Sequence, residues 1–357
     1  MKKIIFSLLI IVSGLKINAQ GCVAIRSTGA ACSIEKFMYR DTTKWELGIN
    51  NRYFKSYKHF VGEVEQKQRV DSQTEVINHS YTLDLNLARK FNERWSMMID
   101  VPIIANTRSS LYEHGGKDRR QTHAFGIGDI RLAVYRWMID PMKHSKFNYQ
   151  LGLGLKLPTG DYKYQDYFYS ATGTRTLGPV DQSIQLGDGG TGITAELNAF
   201  YNLSHAVSFY GNFYYLSNPR EQNGVSTARG GTPSAAAIAN GSDVMSVPDQ
   251  YMYRAGANVM LNKFTVSAGV RKECIPVYDL IGGSGGFRRP GYVISVEPGV
   301  NYRSNNISLY AYVPVAVVRN RTQSVPDKIK TDLTGIYTQG DAAFADLSVS
   351  IGMSVRF

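Results

Sequence analysis

The sequence predicts an all-β protein, specifically a transmembrane antiparallel up-and-down β-barrel of about twelve strands. Three observations carry this prediction. The last twelve residues, DLSVSIGMSVRF, alternate polar and apolar side chains without a break. Such a period of two places lumen-facing and lipid-facing residues on opposite sides of a barrel strand. Similar segments recur along the chain, with short and long connections alternating between them, and the N-terminus carries an export pattern.

The N-terminal residues have the composition of a signal peptide. Two lysines precede a short apolar stretch at 4–12, and Ala19 supplies the small residue before the expected cleavage. This stretch is far shorter than the roughly twenty residues that a membrane-spanning helix needs. We therefore expect residues 1–19 to be a signal peptide. The Gly-Cys22 pair resembles the end of a lipobox, so a lipoprotein is the competing interpretation.

Residues 20–42 separate the signal peptide from the first strand, and we expect them to lie in the periplasm or to fold into the lumen as a plug. Cys22 and Cys32 fall in this segment. Because an exported protein meets an oxidising compartment, a disulfide between them and two free thiols are the alternatives. Their spacing fits no tetrahedral zinc site. Cys274 falls inside a predicted strand and is expected to be unpaired. We predict no cofactor.

The barrel is predicted to occupy residues 43–357, where no helical period competes with the alternation. An even number of strands is what a single-chain bacterial barrel requires. The predicted strands span 43–54, 75–91, 95–106, 125–138, 147–157, 192–203, 206–217, 251–261, 264–274, 292–302, 307–318 and 343–357.

The connections predict the orientation of the barrel. Tight periplasmic turns and long outer loops are typical of outer-membrane barrels, so both termini are expected in the periplasm. Short turns are expected at 92–94, 140–145, 204–205, 262–263 and 303–306, and long polar loops at 57–72, 108–124, 158–190, 218–249, 277–291 and 319–341.

Aromatic residues are expected to form two belts at the membrane interfaces. The outer group contains Tyr215, Tyr251, Tyr253 and Tyr292. The periplasmic group contains Phe91, Trp95, Phe147, Tyr149, Tyr201, Phe209, Phe264, Tyr302 and Phe357.

The polar face of the strands carries nearly equal numbers of acids and bases. One interpretation is a network of ion pairs that holds a small barrel rigid, since charges inside a barrel need partners. The other is a polar conduction path with weak ion selectivity. The candidate lumen-lining residues are Glu46, Asp84, Asp129, Arg131, Lys156, Glu196, Arg254, Arg271, Glu297 and Asp346.

Charge and histidine placement argue against other classes of function. The formal net charge of +11 is scattered over loops and strands, whereas a nucleic-acid binder gathers it into a patch. The positive charge instead indicates attraction to lipopolysaccharide or to anionic solutes.

The six histidines form no metal-binding pattern. A lipid-modifying barrel enzyme is the rival, with His79 as the nearest catalytic candidate, but no nucleophile motif accompanies it. We therefore predict that the protein is not an enzyme.

Four segments occur in a fixed order: DVPI (100–103), GIGDIRLAVYRW (126–137), LGLGLKLPTGDY (151–162) and LGDGGTGITAEL (186–197). Together they resemble the outer-membrane family of phenol-degradation meta-pathway channels, which is distantly similar in role to fatty-acid and aromatic-hydrocarbon transporters. The resemblance implies a barrel that passively admits small solutes, hydrophobic or aromatic ones among them.

The C-terminal Phe357 resembles the assembly signal of bacterial outer-membrane barrels. This resemblance implies that the barrel-assembly machinery is a partner, in addition to membrane lipid and lipopolysaccharide.

Two alternatives to a channel stay open. One is a plugged structural barrel whose outer loops bind a partner. The other is the lipid-modifying enzyme.

Overall fold

The computed structural model describes residues 43–357, which form a closed antiparallel β-barrel of twelve strands, and this confirms the predicted fold. The predicted signal peptide, the segment 20–42, Cys22 and Cys32 lie outside the described residues. The strands are β1 (Trp45–Val61), β2 (Ile77–Lys90), β3 (Trp95–Ser110), β4 (Arg120–Ile127 and Arg131–Trp137), β5 (Phe147–Lys156), β6 (Gly192–Asn202), β7 (Val207–Ser217), β8 (Gln250–Leu261), β9 (Phe264–Ile275), β10 (Gly291–Ser304), β11 (Ile307–Tyr312 and Val315–Arg321) and β12 (Ala342–Arg356).

The barrel closes between its first and last strands. Consecutive strands pair antiparallel around the wall, and β1 pairs with β12 from Glu46 opposite Arg356 to Phe60 opposite Ala342. Closure gives the backbone groups of both terminal strands a partner, which is the condition for a sheet to lie in lipid.

The long connections carry small elements of their own. They include three helices, α1 (Gln68–Asp71), α2 (Ala235–Asn240) and α3 (Val325–Thr334). Helix α3 begins with a capping box, in which the Ser324 hydroxyl accepts from the Asp327 amide at 3.2 Å and the Asp327 carboxylate accepts from the Ser324 amide at 2.9 Å. Among residues 43–357, no helix has the length and apolar character needed to cross a membrane. Two hairpins also lie in these loops, Gln165–Tyr169 with Arg175–Pro179 and Gln222–Ser226 with Val244–Ser246.

The wall of the barrel is apolar outside and polar inside. In β4, Leu132 and Val134 are 37% and 41% exposed, whereas Arg131, which precedes them, and Tyr135, which follows them, are buried. This is the reverse of a soluble domain and suits a surface in contact with acyl chains. At the end that holds the short turns, aromatic side chains point outward, as the predicted belt requires. The exposed members are Phe91, Trp95, Phe147, Tyr201, Phe209, Phe264 and Phe357.

Two strands that were predicted to be continuous are broken. The ladder of β4 is interrupted at 128–130 and that of β11 at 313–314. Each break lies opposite a proline of the preceding strand: Gly128 donates to the carbonyl of Pro102, and Val313 donates to the carbonyl of Pro298. Proline has no backbone N–H, so it cannot donate a hydrogen bond to the neighbouring strand. The neighbouring strand therefore leaves the ladder at that level.

Two strands extend further than predicted. Strand β1 continues to Val61 and β3 continues to Ser110. The alternation of β1 is lost because its pairing with β12 shifts register between Phe54 and Lys58. A bulge of this kind changes which residues share a face, so the period of two no longer marks the strand.

Candidate functional site

The barrel lumen contains a cavity of about 160 Å³. Its lining includes Arg52 of β1, Asn106 of β3, Lys156 of β5, Tyr214 of β7 and Gln250 of β8. Because these strands are spread around the circumference of the barrel, the space that their side chains share is the interior of the barrel.

The long loops fold inward over this cavity. Leu186, Met245 and Arg289 belong to three different long connections and all contribute to the lining. Leu186 is 4% exposed and Met245 is 2% exposed. The long polar loops were predicted to be external, but parts of them fold over the lumen at its long-loop end.

The segments that carry the family resemblance meet at one charged cluster. The Nζ of Lys156 lies 3.6 Å from the Asp129 carboxylate and pairs with the carboxylate of Asp188. Asp129 sits in the break of β4 and accepts from the Gly160 amide at 3.0 Å and the Asp188 amide at 3.3 Å. The break of β4 thus turns a carboxylate toward the loops instead of continuing the strand.

Two glycines allow this close approach. A Cβ on Gly160 would lie 2.6 Å from the carbonyl oxygen of Leu186, and a Cβ on Gly187 would lie 2.4 Å from the Asp129 carboxylate. Any larger residue at these positions would separate the loop segments from the strand.

The neighbouring candidate Arg131 forms a second buried pair. Its guanidinium lies 2.5 Å from the Asp100 carboxylate and donates to the Tyr214 hydroxyl at 3.4 Å. Asp84 is also buried and accepts from Asn50 at 3.3 Å. The structure places Asp129, Arg131 and Lys156 on the same cavity.

Three further candidates form a separate network on the other side of the lumen. Glu297 is 1% exposed and bonds to Arg254 at 3.2 Å and to Arg271 at 3.1 Å. Arg271 also bonds to Glu273 at 2.8 Å. Charges with these partners act as internal cross-links of the wall.

Toward the short-turn end the lumen is filled by polar and aromatic side chains. The candidate Glu196 accepts from the Tyr135 hydroxyl at 3.0 Å. Beyond it, Trp137, Phe200 and Tyr210 form a buried aromatic cluster. Any solute that passes from the cavity to this end meets this packed layer.

The last two candidates belong to none of these groups and do not line the cavity. Glu46 is half-buried near the start of β1, opposite Arg356. Asp346 is half-buried and bonds to Tyr57 at 3.0 Å, to Lys58 at 2.9 Å and to Arg319 at 2.7 Å. The structure does not bring either residue to the other candidates around the cavity.

A cluster of ion pairs joins the long loops over the cavity. It was not predicted from the sequence. We call Arg108, Glu113, Asp181, Arg229 and Arg289 the outer ion cluster. Glu113 bonds to Arg108 and to Arg229, each at 2.8 Å. Asp181 bonds to both terminal nitrogens of Arg289, at 2.9 and 2.7 Å, and lies 3.5 Å from Arg108. Four loops are thereby joined to β3.

Both carboxylates of the outer ion cluster have a lowered pKa. Burial by itself raises the pKa of Asp181, but Arg108 and Arg289 outweigh it and hold that pKa well below its usual range. Burial also opposes ionisation of Glu113, yet Arg108 lowers the pKa of this residue. Both side chains are therefore charged at neutral pH and keep the loops paired.

His79, which was the catalytic candidate, and the adjacent Ser80 point to opposite faces of the wall. The His79 ring bonds to the Tyr53 hydroxyl at 2.7 Å, whereas the adjacent Ser80 lines the internal cavity. Neighbours in a strand point to opposite faces, so these two groups cannot act together. Within the described part of the chain, no group of His, Cys, Asp and Glu is arranged to hold a metal ion. Cys274 is buried and free.

The fold resembles solved outer-membrane barrels. Over 89% of this chain and 97% of the other, the structure superposes on the COG4313 outer membrane channel from Pseudomonas putida F1, with a TM-score of 0.56 and 9% sequence identity. The toluene transporter TodX of Pseudomonas putida gives a TM-score of 0.44 at 10% identity, over 96% of each chain. A FadL homologue of Pseudomonas aeruginosa gives 0.43 at 8% identity, over 88% of this chain and 90% of that one.

No family model and no curated protein matches the sequence. The similarity to the solved structure of the COG4313 channel confirms the fold, which is that of an outer-membrane β-barrel.

Proposed function

We propose that this protein is an outer-membrane channel that passively admits small solutes. The observation that carries the proposal is the cavity inside the barrel, which side chains from several strands and from the long loops line. An apolar outer wall and a polar interior that holds a cavity are features of transmembrane channels of this type. The similar fold of a protein described as an outer-membrane channel supports it.

The proposal includes an orientation. The short turns and both ends of the barrel domain lie at one end, and the long loops lie at the other. By the usual arrangement of such barrels, the short-turn end faces the periplasm. Residues 1–19 act as the export signal in this proposal, and Phe357 engages the barrel-assembly machinery. Residues 20–42 form a periplasmic tail or a plug.

Uptake into liposomes tests the channel. Purified mature barrel, reconstituted into liposomes, is expected to admit small sugars and amino acids and to exclude solutes too large for the lumen. Heat-modifiable electrophoretic mobility verifies that the barrel is folded. Swelling rates equal to those of protein-free liposomes for every solute would contradict the proposal.

A sealed interaction barrel is the second candidate, and one observation favours it. Large apolar residues of the loops are exposed at the long-loop end: Tyr278, Leu280 and Ile281 in one loop and Leu333, Ile336 and Tyr337 in another. Exposed apolar patches often mark binding surfaces. An inert, folded barrel in the uptake experiment would favour this function over the channel.

A further inference from the structure

The lining of the cavity combines two kinds of side chain. The apolar group consists of Phe54, Leu186, Leu216, Met245 and Ile275. The charged group has five cationic side chains but only two carboxylates. These are Arg52, Arg131, Lys156, Arg288 and Arg289, with Asp129 and Asp188.

The positions of the acidic partners make the cavity surface positive. Asp100, which pairs with Arg131, is absent from the cavity lining. The same holds for the partner carboxylates of Arg288 and Arg289, which belong to Asp279 and Asp181. Each of these guanidinium groups therefore stands between its carboxylate and the cavity. A solute inside meets the cations first, and their field at this surface favours a negative charge.

Lys156 differs from the arginines because both of its carboxylate partners, Asp129 and Asp188, also line the cavity. Its charge is balanced at the surface of the cavity. The excess of positive charge therefore comes from the arginines. Among them, Arg131 lies 5.8 Å from the centre of the Tyr214 ring, which also lines the cavity.

The size of the cavity limits the ligand. A cavity of roughly 150 Å³ with an apolar lining can hold one benzene molecule, and the present cavity measures about 160 Å³. One ring or a short branched chain fits, together with a small head group that displaces water from the charged group.

We propose that the cavity binds a small organic anion, in which a single carboxylate faces the arginines and one apolar ring faces Leu216, Met245 and their neighbours. This inference rests on the proposed channel function, because it names the class of solute that is held in transit. Guanidinium groups suit a carboxylate, since they offer several donors in one plane. A cation of the same size would meet like charges, and a neutral ring would use only the apolar group.

Three ligands of one shape test the proposal on the unmodified protein. The purified mature barrel is titrated calorimetrically with benzoate, benzyl alcohol and benzylamine. Benzoate is expected to bind about tenfold more tightly than benzyl alcohol, as one charge-assisted interaction requires, and benzylamine is expected to bind most weakly. Equal affinities for the three ligands, or the reverse order, would overturn the proposal.

A double substitution then locates the site. Asp100→Asn with Arg131→Gln removes a cation from the cavity without leaving a buried carboxylate unpaired. We expect benzoate to bind about tenfold more weakly and benzyl alcohol to bind as before. Arg136→Gln, on the exposed face of the same strand, serves as the matched control and should leave both affinities unchanged.

Arg52→Gln provides a second variant with an independent cavity residue. Unchanged benzoate affinity in the folded variants would contradict the assignment.

The experiments distinguish a failure of the anion site from a failure of the proposed channel. Solute uptake without any preference for benzoate would overturn the anion site alone. Selective benzoate binding in a barrel that admits nothing would overturn the channel and leave the anion site in place.

Discussion

The ammonium group of Lys156 lies 3.6 Å from the carboxylate of Asp129, and the two residues come from segments that a break in β4 brings together. Asp188 from the following loop pairs with the same lysine. Lys156 is 4% exposed, so this one cation holds the buried Asp129 and the half-buried Asp188 at the junction of the strands and the loops.

Loss of this cation should destabilise the barrel. We expect Lys156→Met to lower the free energy of unfolding by about 3 kcal/mol, because the buried carboxylate of Asp129 and the half-buried carboxylate of Asp188 then lose their cation. Urea unfolding in lipid vesicles, followed by tryptophan fluorescence, measures the change. The exposed Lys143 provides the control Lys143→Met, which should be neutral. Adding Asp188→Asn should recover part of the loss, and wild-type stability of Lys156→Met would contradict this account.

Glycine at 352 is required by a tyrosine ring on the neighbouring strand. A Cβ on Gly352 would lie 2.3 Å from Cζ of Tyr310, whereas a Cβ on Gly211 would meet nothing within 4 Å. We expect Gly352→Ala to cost about 1–3 kcal/mol of unfolding free energy through overcrowding. Gly211→Ala is the matched strand control and should cost less. The same urea experiment compares them, and equal effects would show that the ring moves aside freely.

The outer ion cluster predicts a dependence of loop packing on acid pH. The folded-state pKa values of Asp181 and Glu113 lie below their ordinary values. Their contribution to stability is therefore fully present above the ordinary pKa values of about 4 and is lost as the pH falls through the lowered values. Loop packing should not change between neutral pH and about pH 5 and should loosen below about pH 4.

Hydrogen exchange of residues 181–190, corrected for the intrinsic pH effect, measures this loosening. Asp181→Asn should exchange faster at neutral pH and respond less to acid. Asp118→Asn, at an exposed loop position, should behave as the wild type does. Protection that stays constant down to pH 2 would show that the ion pairs do not hold the loops.

The orientation is tested at the loop that contains α2. An epitope tag inserted within 224–242 should be reached by antibody on intact cells, because long loops are expected outside. A tag in the turn at 140–145 should be reached only after the outer membrane is permeabilised. Reversed accessibility of the two tags would invert the proposed orientation.

The strands were predictable because lipid on one side and a polar lumen on the other impose a period of two on residues such as Leu132 and Val134. The breaks in β4 and β11 were missed, although Pro102 and Pro298 are visible in the sequence and mark where a neighbouring strand lacks a donor. Their effect falls on a partner strand, where the alternation of side chains gives no warning.

The loop residues around the cavity could not be predicted in this way. Arg289 and Asp181 are 108 positions apart and meet only in the folded barrel. Loops have no periodicity that relates such residues. The strand residues Asp129 and Lys156 were identified as candidates because they lie on the polar face, but their third partner, Asp188, belongs to a loop.

A change in the ion selectivity of the current on substitution of cavity residues would show that ions pass through the cavity. Neutralising Arg131 and Lys156 together should shift the selectivity of the current toward cations if both line the path. Reversal potentials in a salt gradient measure this shift. Neutralising the exterior residues Arg136 and Lys143 together is the matched control. An unchanged reversal potential in a folded Arg131→Gln, Lys156→Met variant would show that Arg131 and Lys156 do not line the conduction path.

Single-channel recording of the purified mature barrel in planar bilayers tests the central claim most directly. The account predicts small, discrete current steps. It also predicts a larger conductance after deletion of residues 20–42 if that segment plugs the lumen, and an unchanged conductance if it is a periplasmic tail. Absence of current from both the intact and the truncated barrel, each shown to be folded by heat-modifiable mobility, would contradict the channel.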